Sequence, residues 1–425
     1  MKNLCIIIFS CFITSTICAQ QKVLPYIPIS TYDPEQPPKE LHQLDKYFEN
    51  VKLVGLGEST HGTSEFTLMR HRLFKFLVEE YGYNTLFLEE DYATCLRVDA
   101  YIKGANDDLL QVVKSFNQWP WMTKEMAELI SWMREYNAKE ENQQLSFVGI
   151  DLQYYKTTLD VIDSILISYS PDLKNELTVS KTTDNEFMTK SDVDGIEEFE
   201  NIVKERQSVI ESIEVPEAEK SKLINLTRGL KFIVEEKHNL ENGAYRDVKM
   251  AENIMAHFEE NPEIKGIFWA HNGHILTPCG NKKKGNCRAG ANLKNWMGDK
   301  YYSIALDFDK GMFNAYYLSD KEGDKNNIDN YTLGEVAVDP AIEGSVAYRI
   351  RNNYESAVFI TTESFEKRKT RKLAGRFVGA SFTNRSKEGK QTYFENWYSK
   401  NFDAIILIKN TSATELLINS EAEAK

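Results

Sequence analysis

Short apolar runs alternate along the chain with longer segments of helical periodicity. Strands buried in a parallel sheet are apolar throughout, whereas amphipathic helices repeat an apolar residue every three or four positions. The two patterns together predict an α/β fold with a mainly parallel central sheet flanked by helices. The predicted strands cover residues 51–56, 85–89, 145–150, 265–270, 301–308 and 402–408. The predicted helices cover residues 40–48, 65–81, 95–103, 123–137, 195–212, 216–240 and 244–259.

Carboxylates stand at the ends of the first three predicted strands. Glu58 follows the first strand, Glu89 ends the second and Asp151 follows the third. The carboxyl ends of parallel strands lie at one edge of a sheet, where open α/β sheets bind their ligands. Each acid alone is equally compatible with a helix cap or a surface group, but three acids at equivalent positions indicate a shared site.

The helix after the first strand carries a charge in its apolar stripe. Arg70 lies four residues after Phe66 and three before Leu73, which is the spacing of one helix face. An unpaired buried guanidinium is very costly, so we predict that Arg70 pairs with Glu58 or Glu89. The alternative is a surface arginine that extends its charged end into solvent.

Histidines follow the same strand ends. His61 comes three residues after Glu58, and His271 and His274 follow the strand at 265–270. An imidazole beside a carboxylate suits general acid–base catalysis, because the carboxylate sets the tautomer and raises the basicity of the ring. We therefore predict catalytic roles for His61, Glu58, Glu89, Arg70 and His271, and substrate-binding roles for His274 and Asp151. The remaining histidines, predicted to be inert on helical surfaces, are His42, His71, His238 and His257.

The same imidazoles and carboxylates are also metal-ligand types. However, the chain has no HExxH motif and no cysteine pair at metal spacing. We therefore predict no metal and no other cofactor, with a catalytic metal as the alternative. A serine hydrolase is disfavoured because there is no GxSxG motif, although Ser59 lies beside Glu58.

Residues 155–260 are largely helical and highly charged. We expect a helical insertion here that forms one wall of the active-site cleft. The chain has no internal repeat and no linker rich in Gly or Pro that would divide it. Residues 20–425 are therefore predicted to form a single domain.

The net charge of −13 and the pI near 5.2 argue against a nucleic-acid partner, whose phosphates require a basic face. The basic stretch at 366–376 lacks interleaved aromatic residues and is expected to be a solvated loop. A small-molecule substrate, including a cationic one, is compatible with the acidic charge.

Residues 1–19 have the pattern of a signal peptide. Lys2 gives a positive start, residues 4–19 are almost wholly apolar, and Ala19 ends a cleavage-like tripeptide. We expect cleavage after Ala19, export to the periplasm or outside the cell, and no membrane span in the mature protein. Lipidation of Cys18 is the alternative.

Three cysteines follow the signal segment, namely Cys95, Cys279 and Cys287. An exported protein meets an oxidising compartment, where disulfides persist. Cys279 and Cys287 bracket a short loop with glycine near both ends, so a disulfide between them is plausible. Two free thiols are the alternative.

Several of these segments together resemble the erythromycin esterase family. The matching segments are GESTHG at 57–62 with Arg70, LFLEED at 86–91, WMREYN at 132–137, VGIDLQ at 148–153, WAHNGH at 269–274 and FDAIILI at 402–408. They occur in the family's order, and the resemblance runs from about residue 45 to 415. It is strong at 51–152 and 266–310 and diffuse in the helical middle.

The resemblance implies hydrolysis of the lactone ester of macrolide antibiotics by an activated water, without a covalent serine. It implies that His61 is the general base and that Glu58, Arg70 and Glu89 support it. His271 and His274 resemble the family's second histidine pair. The family also holds members of other or unknown substrate, some labelled after succinoglycan biosynthesis.

The favoured hypothesis is a hydrolase that confers macrolide resistance. In this hypothesis His61 activates water, Glu58 and Glu89 orient it and balance its charge, and Arg70 or His271 stabilises the oxyanion. One alternative is an esterase of another substrate. The other is a non-catalytic envelope protein that binds a glycan or glycolipid in the same cleft.

Overall fold

The structure is a computed structural model that describes residues 24–139, 143–180, 193–238, 244–280, 287–318, 331–365, 372–382, 392–394 and 398–418. The predicted signal peptide at 1–19 lies outside the described residues, as do residues 366–371 of the basic stretch. Within the described part of the chain, no helix combines the length and the apolar character needed to cross a membrane.

A sheet of ten strands lies at the centre of the described structure. In chain order the strands are β1 (Ile27–Ile29), β2 (Leu53–Leu56), β3 (Thr85–Asp91), β4 (Ser146–Asp151), β5 (Gly266–Trp269), β6 (Tyr301–Leu318), β7 (Tyr331–Val338), β8 (Ala357–Thr361), β9 (Gly375–Arg376), β10 (Ser381–Phe382), β11 (Tyr393–Phe394) and β12 (Ala404–Thr411). Strands β9 and β11 form a separate antiparallel pair.

The strand order of the central sheet is β1-β8-β12-β6-β2-β5-β3-β4. The pairs from β12 to β4 are all parallel, whereas β8 pairs antiparallel with both β12 and β1. Strands β7 and β10 extend the sheet along β6. The predicted α/β fold with a mainly parallel sheet is confirmed, with an antiparallel edge that the apolar pattern did not reveal.

Helices cover the sheet. The α-helices are α1 (Ser64–Tyr81), α2 (Tyr92–Ile102), α3 (Leu109–Lys114), α4 (Lys124–Asn137), α5 (Tyr155–Tyr169), α6 (Leu173–Glu176), α7 (Val193–Ser212), α8 (Glu217–His238), α9 (Tyr245–Glu260), α10 (Asn272–Ile275), α11 (Ala289–Met297) and α12 (Val346–Ile350). Shorter 3₁₀ helices cover Leu41–Tyr47, Trp119–Trp121, Gly298–Lys300 and Thr362–Phe365.

Successive residues of the central strands face opposite sides of the sheet and enter two apolar clusters. Val54 and Leu86 pack in one cluster, whereas their neighbours Leu53 and Phe87 pack in the other. Strands β2, β3 and β5 are buried along their whole length, which explains their uninterrupted apolar sequences. The sheet is therefore covered on both faces, and its strand ends are the part available for chemistry.

The helical insertion has an apolar cluster of its own. Side chains from α5, α7 and α8 form this third cluster, including Leu159, Phe199 and Leu226. Helix α9 instead packs toward the sheet, where Met250 and Ile254 join one of the sheet clusters. The insertion thereby brings the N-terminal end of α9 to the carboxyl edge of the sheet.

The ends of two helices test local predictions. The side chain of Thr123 caps α4 by accepting the N–H of Met126 at 3.2 Å, as predicted. Thr63 is the N-cap residue of α1 but makes no such cap bond, because its hydroxyl pairs with that of Thr60. Helix α1 ends at Gly82, whose φ of 69° is a left-handed conformation that glycine adopts at low cost.

The prediction that His71 lies on a helical surface is wrong. Its side chain is only 2% exposed. Helix α4 covers this face of α1 and places the Trp132 ring 5.4 Å from the imidazole. The same prediction is wrong for His257, which is half-buried against Phe87.

Candidate active site

The carboxyl ends of β2, β5 and β3 lie side by side, because β5 pairs with both of the other strands. In the register of the sheet, Trp269 at the end of β5 pairs with the last residue of β2 and with a residue near the end of β3. Glu58, His271 and Glu89 are therefore at the same edge. The seven predicted site residues all lie in one connected set of contacts there.

Glu58 joins His61 to Arg70. One of its carboxylate oxygens lies 2.5 Å from His61 Nδ1, and the other accepts a hydrogen bond from Arg70 Nη2. Burial alone would raise the pKa of Glu58, but the charge of Arg70 and the hydrogen bonds from His61 and Arg70 outweigh burial and hold that pKa below its usual value. An ionised carboxylate can only accept, so His61 Nδ1 carries the proton and Nε2 is the basic atom of the neutral ring.

Arg70 is a buried cation held in place from three sides. The residue is 1% exposed, and its guanidinium carbon lies 3.8 Å from the centre of the Trp269 ring. Its Nε donates to the carbonyl of Phe66 at 3.1 Å. The predicted pairing with a carboxylate is confirmed, and the partner is Glu58.

A close approach of two loops supports the backbone at Glu58. A Cβ at Gly57 would lie 2.0 Å from Asn272 Oδ1, so only glycine fits there. Asn272 donates its backbone N–H to the carbonyl of Glu58 at 2.8 Å and its side-chain amide to the carbonyl of Leu306 at 2.9 Å. Through its backbone and its side chain together, Asn272 connects the loops after β2 and β5 to β6.

His271 is a neutral imidazole with a defined tautomer. Burial, together with the positive charges of His61 and His274, lowers the pKa of His271 to about 3. Its Nδ1 accepts the N–H of Gly273 at 3.1 Å, so the ring proton is on Nε2. That Nε2 has no hydrogen-bond partner among the described residues. The ring centres of His271 and His61 are 5.2 Å apart, so an N–H donor lies close to the basic ring.

Glu89 supports the histidines that follow β5. Its Oε2 accepts the backbone N–H of His271 at 2.8 Å, and its Oε1 lies 3.2 Å from His274 Nε2. Burial would raise the pKa of Glu89, but His274, Arg246 and His61 hold it well below the usual range. Its direct contacts are thus with the second histidine pair and with Arg246, while Glu58 is the carboxylate that contacts His61.

His274 lies between two carboxylates. Its Nδ1 is 2.7 Å from Asp247 Oδ1, and its Nε2 faces Glu89. Although burial opposes it, the charges of Glu89 and Asp247 raise the pKa of His274 to about 10. The ring is therefore an imidazolium at neutral pH and adds a fixed positive charge to the cleft.

Arg246 joins Asp151 to Glu89. Its guanidinium binds Asp151 through Nε at 2.7 Å and through Nη2 at 2.5 Å, and the same Nη2 lies 2.9 Å from Glu89 Oε1. Asp151 is 3% exposed and also accepts the side-chain amide of Gln153 at 2.5 Å. Asp151 thus acts on the site through Arg246.

Sequence reasoning missed Arg246 and Asp247, which lie in the first turn of α9. Asp247 is 1% exposed, and besides His274 it accepts hydrogen bonds from Arg288 at 2.7 Å and from the backbone of Ala289 at 3.0 Å. The sequence did contain an indication of Asp247. It lies three residues before Met250, so both residues are on the face of α9 that points inward. The argument that identified Arg70 would have identified Asp247.

Ser59 is buried, with 0% exposure, and its hydroxyl has no partner among the described residues. Its side chain is therefore closed to solvent in this structure. Within the described ranges, no group of three or more His, Cys, Asp or Glu side chains has the arrangement of a metal site.

A disulfide joins Cys279 to Cys287, as predicted. It closes the loop that follows the histidine pair of β5. Arg288 comes directly after Cys287 and contacts Asp247, so the bridge lies next to the network that holds His274. Cys95 is a buried free cysteine.

Comparisons with known proteins identify the family of this chain. The family model described as Erythromycin esterase matches residues 78–411. The chain is 26% identical over 376 residues to erythromycin esterase type II of Escherichia coli, which covers 75% of this chain and 84% of that protein.

Solved structures show the same fold. A succinoglycan biosynthesis protein superposes with a TM-score of 0.70 and 22% identity, over 92% of this chain and 96% of that one. A mutant of the erythromycin esterase EreC in its open conformation gives a TM-score of 0.67 and 17% identity, over 91% and 98%. The family match spans most of the chain, and this protein therefore belongs to the erythromycin esterase family and is a hydrolase.

Proposed function

We propose that the protein hydrolyses the lactone ester of macrolide antibiotics with a water molecule that His61 activates, and that it thereby confers macrolide resistance. The observation that carries the proposal is the contact between His61 Nδ1 and Glu58. It leaves Nε2 of a partly exposed ring as the proton acceptor, which is the arrangement a general base requires. The similarity to erythromycin esterase type II supports the macrolide as substrate.

In the first step, the oxygen of the water attacks the lactone carbonyl carbon while its proton moves to His61 Nε2. Glu58 stabilises the imidazolium that forms, and Arg70 keeps Glu58 ionised and in place. The water is the nucleophile, so no covalent intermediate with the protein forms.

The oxyanion of the tetrahedral intermediate is stabilised by His271 Nε2–H. Arg70 was the other candidate for this role, but it is buried and bound to Glu58 and Trp269. His271 is also buried, but its Nε2–H has no partner among the described residues, and its ring centre lies 5.2 Å from that of His61. A donor that is already oriented before the reaction stabilises developing charge at little reorganisation cost.

In the second step, the intermediate collapses and the ester C–O bond breaks. His61 returns the proton to the leaving alkoxide oxygen, which gives the ring-opened hydroxy acid and the neutral base. The positive charges of His274 and Arg246 stabilise the product carboxylate electrostatically, and Asp151 and Glu89 hold them in place. We therefore assign a substrate-binding role to His274 directly and to Asp151 through Arg246.

We assign no metal or other cofactor to this reaction. The carboxylates that would serve as ligands are already bound to cationic side chains, Glu58 to Arg70 and Glu89 to Arg246. A metal ion would have to displace these partners. Incubation with EDTA is therefore expected to leave turnover unchanged, and a loss of activity that zinc restores would contradict the assignment.

Mass spectrometry tests the substrate. Purified protein is incubated with a 14-membered macrolide, and the expected product has gained one water. The His61→Ala variant, checked for folding by circular dichroism, should give no product above background. If the wild type does not hydrolyse macrolides but does hydrolyse other lactones, the proposed substrate is wrong and the proposed mechanism still holds. Absence of any hydrolysis would contradict the esterase and favour the glycan-binding alternative.

A further inference from the structure

A short connection between β9 and β10 packs on the active site. It covers residues 377–380. Val378 and Gly379 donate their backbone N–H groups to the carbonyl of Ser59, at 2.8 and 3.3 Å. The carbonyl of Gly379 in turn accepts the N–H of His61 at 3.4 Å. The connection is therefore bound to the loop that carries the proposed general base.

The side chain of Phe377, in the same connection, contacts the other catalytic histidine. Its ring centre lies 4.4 Å from that of His271, and the two ring planes are perpendicular, at 89°. A Cβ at Gly273 would lie 3.0 Å from Phe377 Cε2 and 3.2 Å from His271 Nδ1. The phenyl ring therefore lies against the residue whose N–H donates to that nitrogen. One connection thus contacts the loops of both proposed catalytic histidines.

Hydrogen bonds alone do not fix the His271 ring. Its Nδ1 accepts one N–H, from Gly273 two residues along the chain, and its Nε2 has no partner among the described residues. Within the described part of the chain, the rings that pack on it are those of His61 and Phe377. Water both donates and accepts hydrogen bonds, so a solvated imidazole exchanges between its two neutral tautomers. The cover by Phe377 keeps Gly273 as the partner of Nδ1.

The backbone before Phe377 is firmly held. Arg376 is 3% exposed, and its Nη2 donates to the carbonyls of Asp309 and Asp339 at 2.9 and 2.7 Å. Its backbone N–H donates to Asp307 Oδ2 at 3.2 Å. These bonds join the connection to β6 and to the end of β7. A side chain on a fixed backbone can hold its neighbour in one orientation.

We propose that Phe377 is a positioning residue of the active site. Its ring fixes the imidazole of His271 in the orientation and the tautomer that place Nε2–H beside His61. The inference rests on the proposed function, in which that N–H stabilises the oxyanion, but the state of the His271 ring can be measured without any substrate.

Nitrogen NMR of protein labelled in its histidine rings tests the tautomer at pH 7. The signals of His271 are assigned by their loss in His271→Asn. In the wild type we expect one neutral tautomer, with the proton on Nε2. In Phe377→Ala the two nitrogen signals should move toward each other, because both tautomers are then populated. Phe377→Leu keeps an apolar cover and should retain the single tautomer.

Steady-state kinetics with a 14-membered macrolide tests the consequence for turnover. Removing an oxyanion donor costs about 10²–10³-fold in kcat, so a misplaced donor in Phe377→Ala should cost roughly tenfold or more. KM should change little, because Phe377 acts on His271 and not on the substrate. In a His271→Ala background, Phe377→Ala should have no further effect on kcat, because its effect depends on that ring. Additive losses would contradict the proposal.

Phe382→Ala is a matched control. Phe382 lies on β10, is 8% exposed and packs against Phe313 with ring centres 5.7 Å apart. Its loss should lower the free energy of unfolding, measured in urea, but should leave kcat and the His271 tautomer as in the wild type. Equal changes of tautomer in Phe382→Ala and Phe377→Ala would show a general loss of packing and overturn the proposal.

Two further results would overturn it. The first is an unchanged His271 tautomer in Phe377→Ala. The second is a raised KM with an unchanged kcat, because Phe377 would then contact the substrate itself. If the wild type hydrolyses no ester, the proposed function fails, while the NMR comparison still decides whether Phe377 fixes the ring. If circular dichroism shows that Phe377→Ala does not fold, Phe377→Val removes less of the side chain and replaces it in both measurements.

Discussion

His61 Nδ1 lies 2.5 Å from Glu58 Oε1, three residues earlier on the same turn after β2. A short loop with two glycines allows this pairing, and the buried Arg70 fixes the carboxylate from the other side. The orientation of the imidazole is therefore set by residues that are close in sequence. This is why the centre of the site was accessible to sequence reasoning.

His61→Ala should lose most of the turnover of the ester substrate. Removal of a general base typically costs roughly 10²–10⁴-fold in rate. KM should change much less, because a base acts mainly in the transition state. Steady-state kinetics measures both parameters, with Ser59→Ala as a control that should keep its activity. Wild-type turnover in His61→Ala would refute the acid–base mechanism.

Arg70→Ala should destabilise the protein strongly. The change leaves Glu58 buried without its main cationic partner, and breaking a buried pair in this way costs about 3–5 kcal/mol. Urea unfolding measures the loss. Arg97→Ala is a matched control, because Arg97 pairs with Asp107 at 2.8 Å on the surface and its side chain is 44% exposed. The control should cost no more than about 1 kcal/mol, and an equal loss in both variants would contradict the buried-pair argument.

His274 should be protonated well above neutral pH. Its pKa is raised to about 10, so the stabilisation it contributes is complete below the unfolded value of about 6.5 and is lost as the pH rises through about 10. The free energy of unfolding of the wild type should therefore exceed that of His274→Gln by more at pH 6 than at pH 10. NMR of the ring nitrogens gives an independent measurement, and a neutral His274 at pH 8 would be inconsistent with this account.

The sequence predicted those parts of the fold and site whose residue pattern lies within a single strand or helix. Buried parallel strands are apolar along their length, so β2, β3, β4, β5, β6 and β12 were recognisable. Arg70 was recognisable because a charge interrupted an apolar stripe on a single helix. Its partner was one of two acids at neighbouring strand ends, and the structure selects Glu58.

The parts that sequence did not predict depend on distant packing. Arg246 and Glu89 are 157 residues apart, and only the path of the helical insertion brings them together. His71 was predicted on a surface because its own helix does not show that α4 covers it. Strand β6 continues to Leu318, ten residues beyond its predicted end, because it pairs there with β7.

The mature protein should begin at Gln20. The positive start and the apolar stretch at 4–19 are the basis for this prediction, together with the small residue Ala19. N-terminal sequencing of protein purified from its native host tests it, and lipidation would appear as a mass increase on Cys18. Protein that retains Met1 would contradict export by a cleaved signal.

Loss of the disulfide should affect both stability and the cleft. Cys279 and Cys287 are eight residues apart, and closing a loop of this length in the unfolded chain contributes about 2.5 kcal/mol in the chain-entropy model. Cys279→Ser with Cys287→Ser should lower the free energy of unfolding by about this amount. Turnover should also fall, because the bridge lies next to Arg288, which binds Asp247 and through it His274. A reducing agent should have the same two effects on the wild type and none on the double variant. Intact-mass analysis that finds both thiols free without reduction would exclude the bridge in solution.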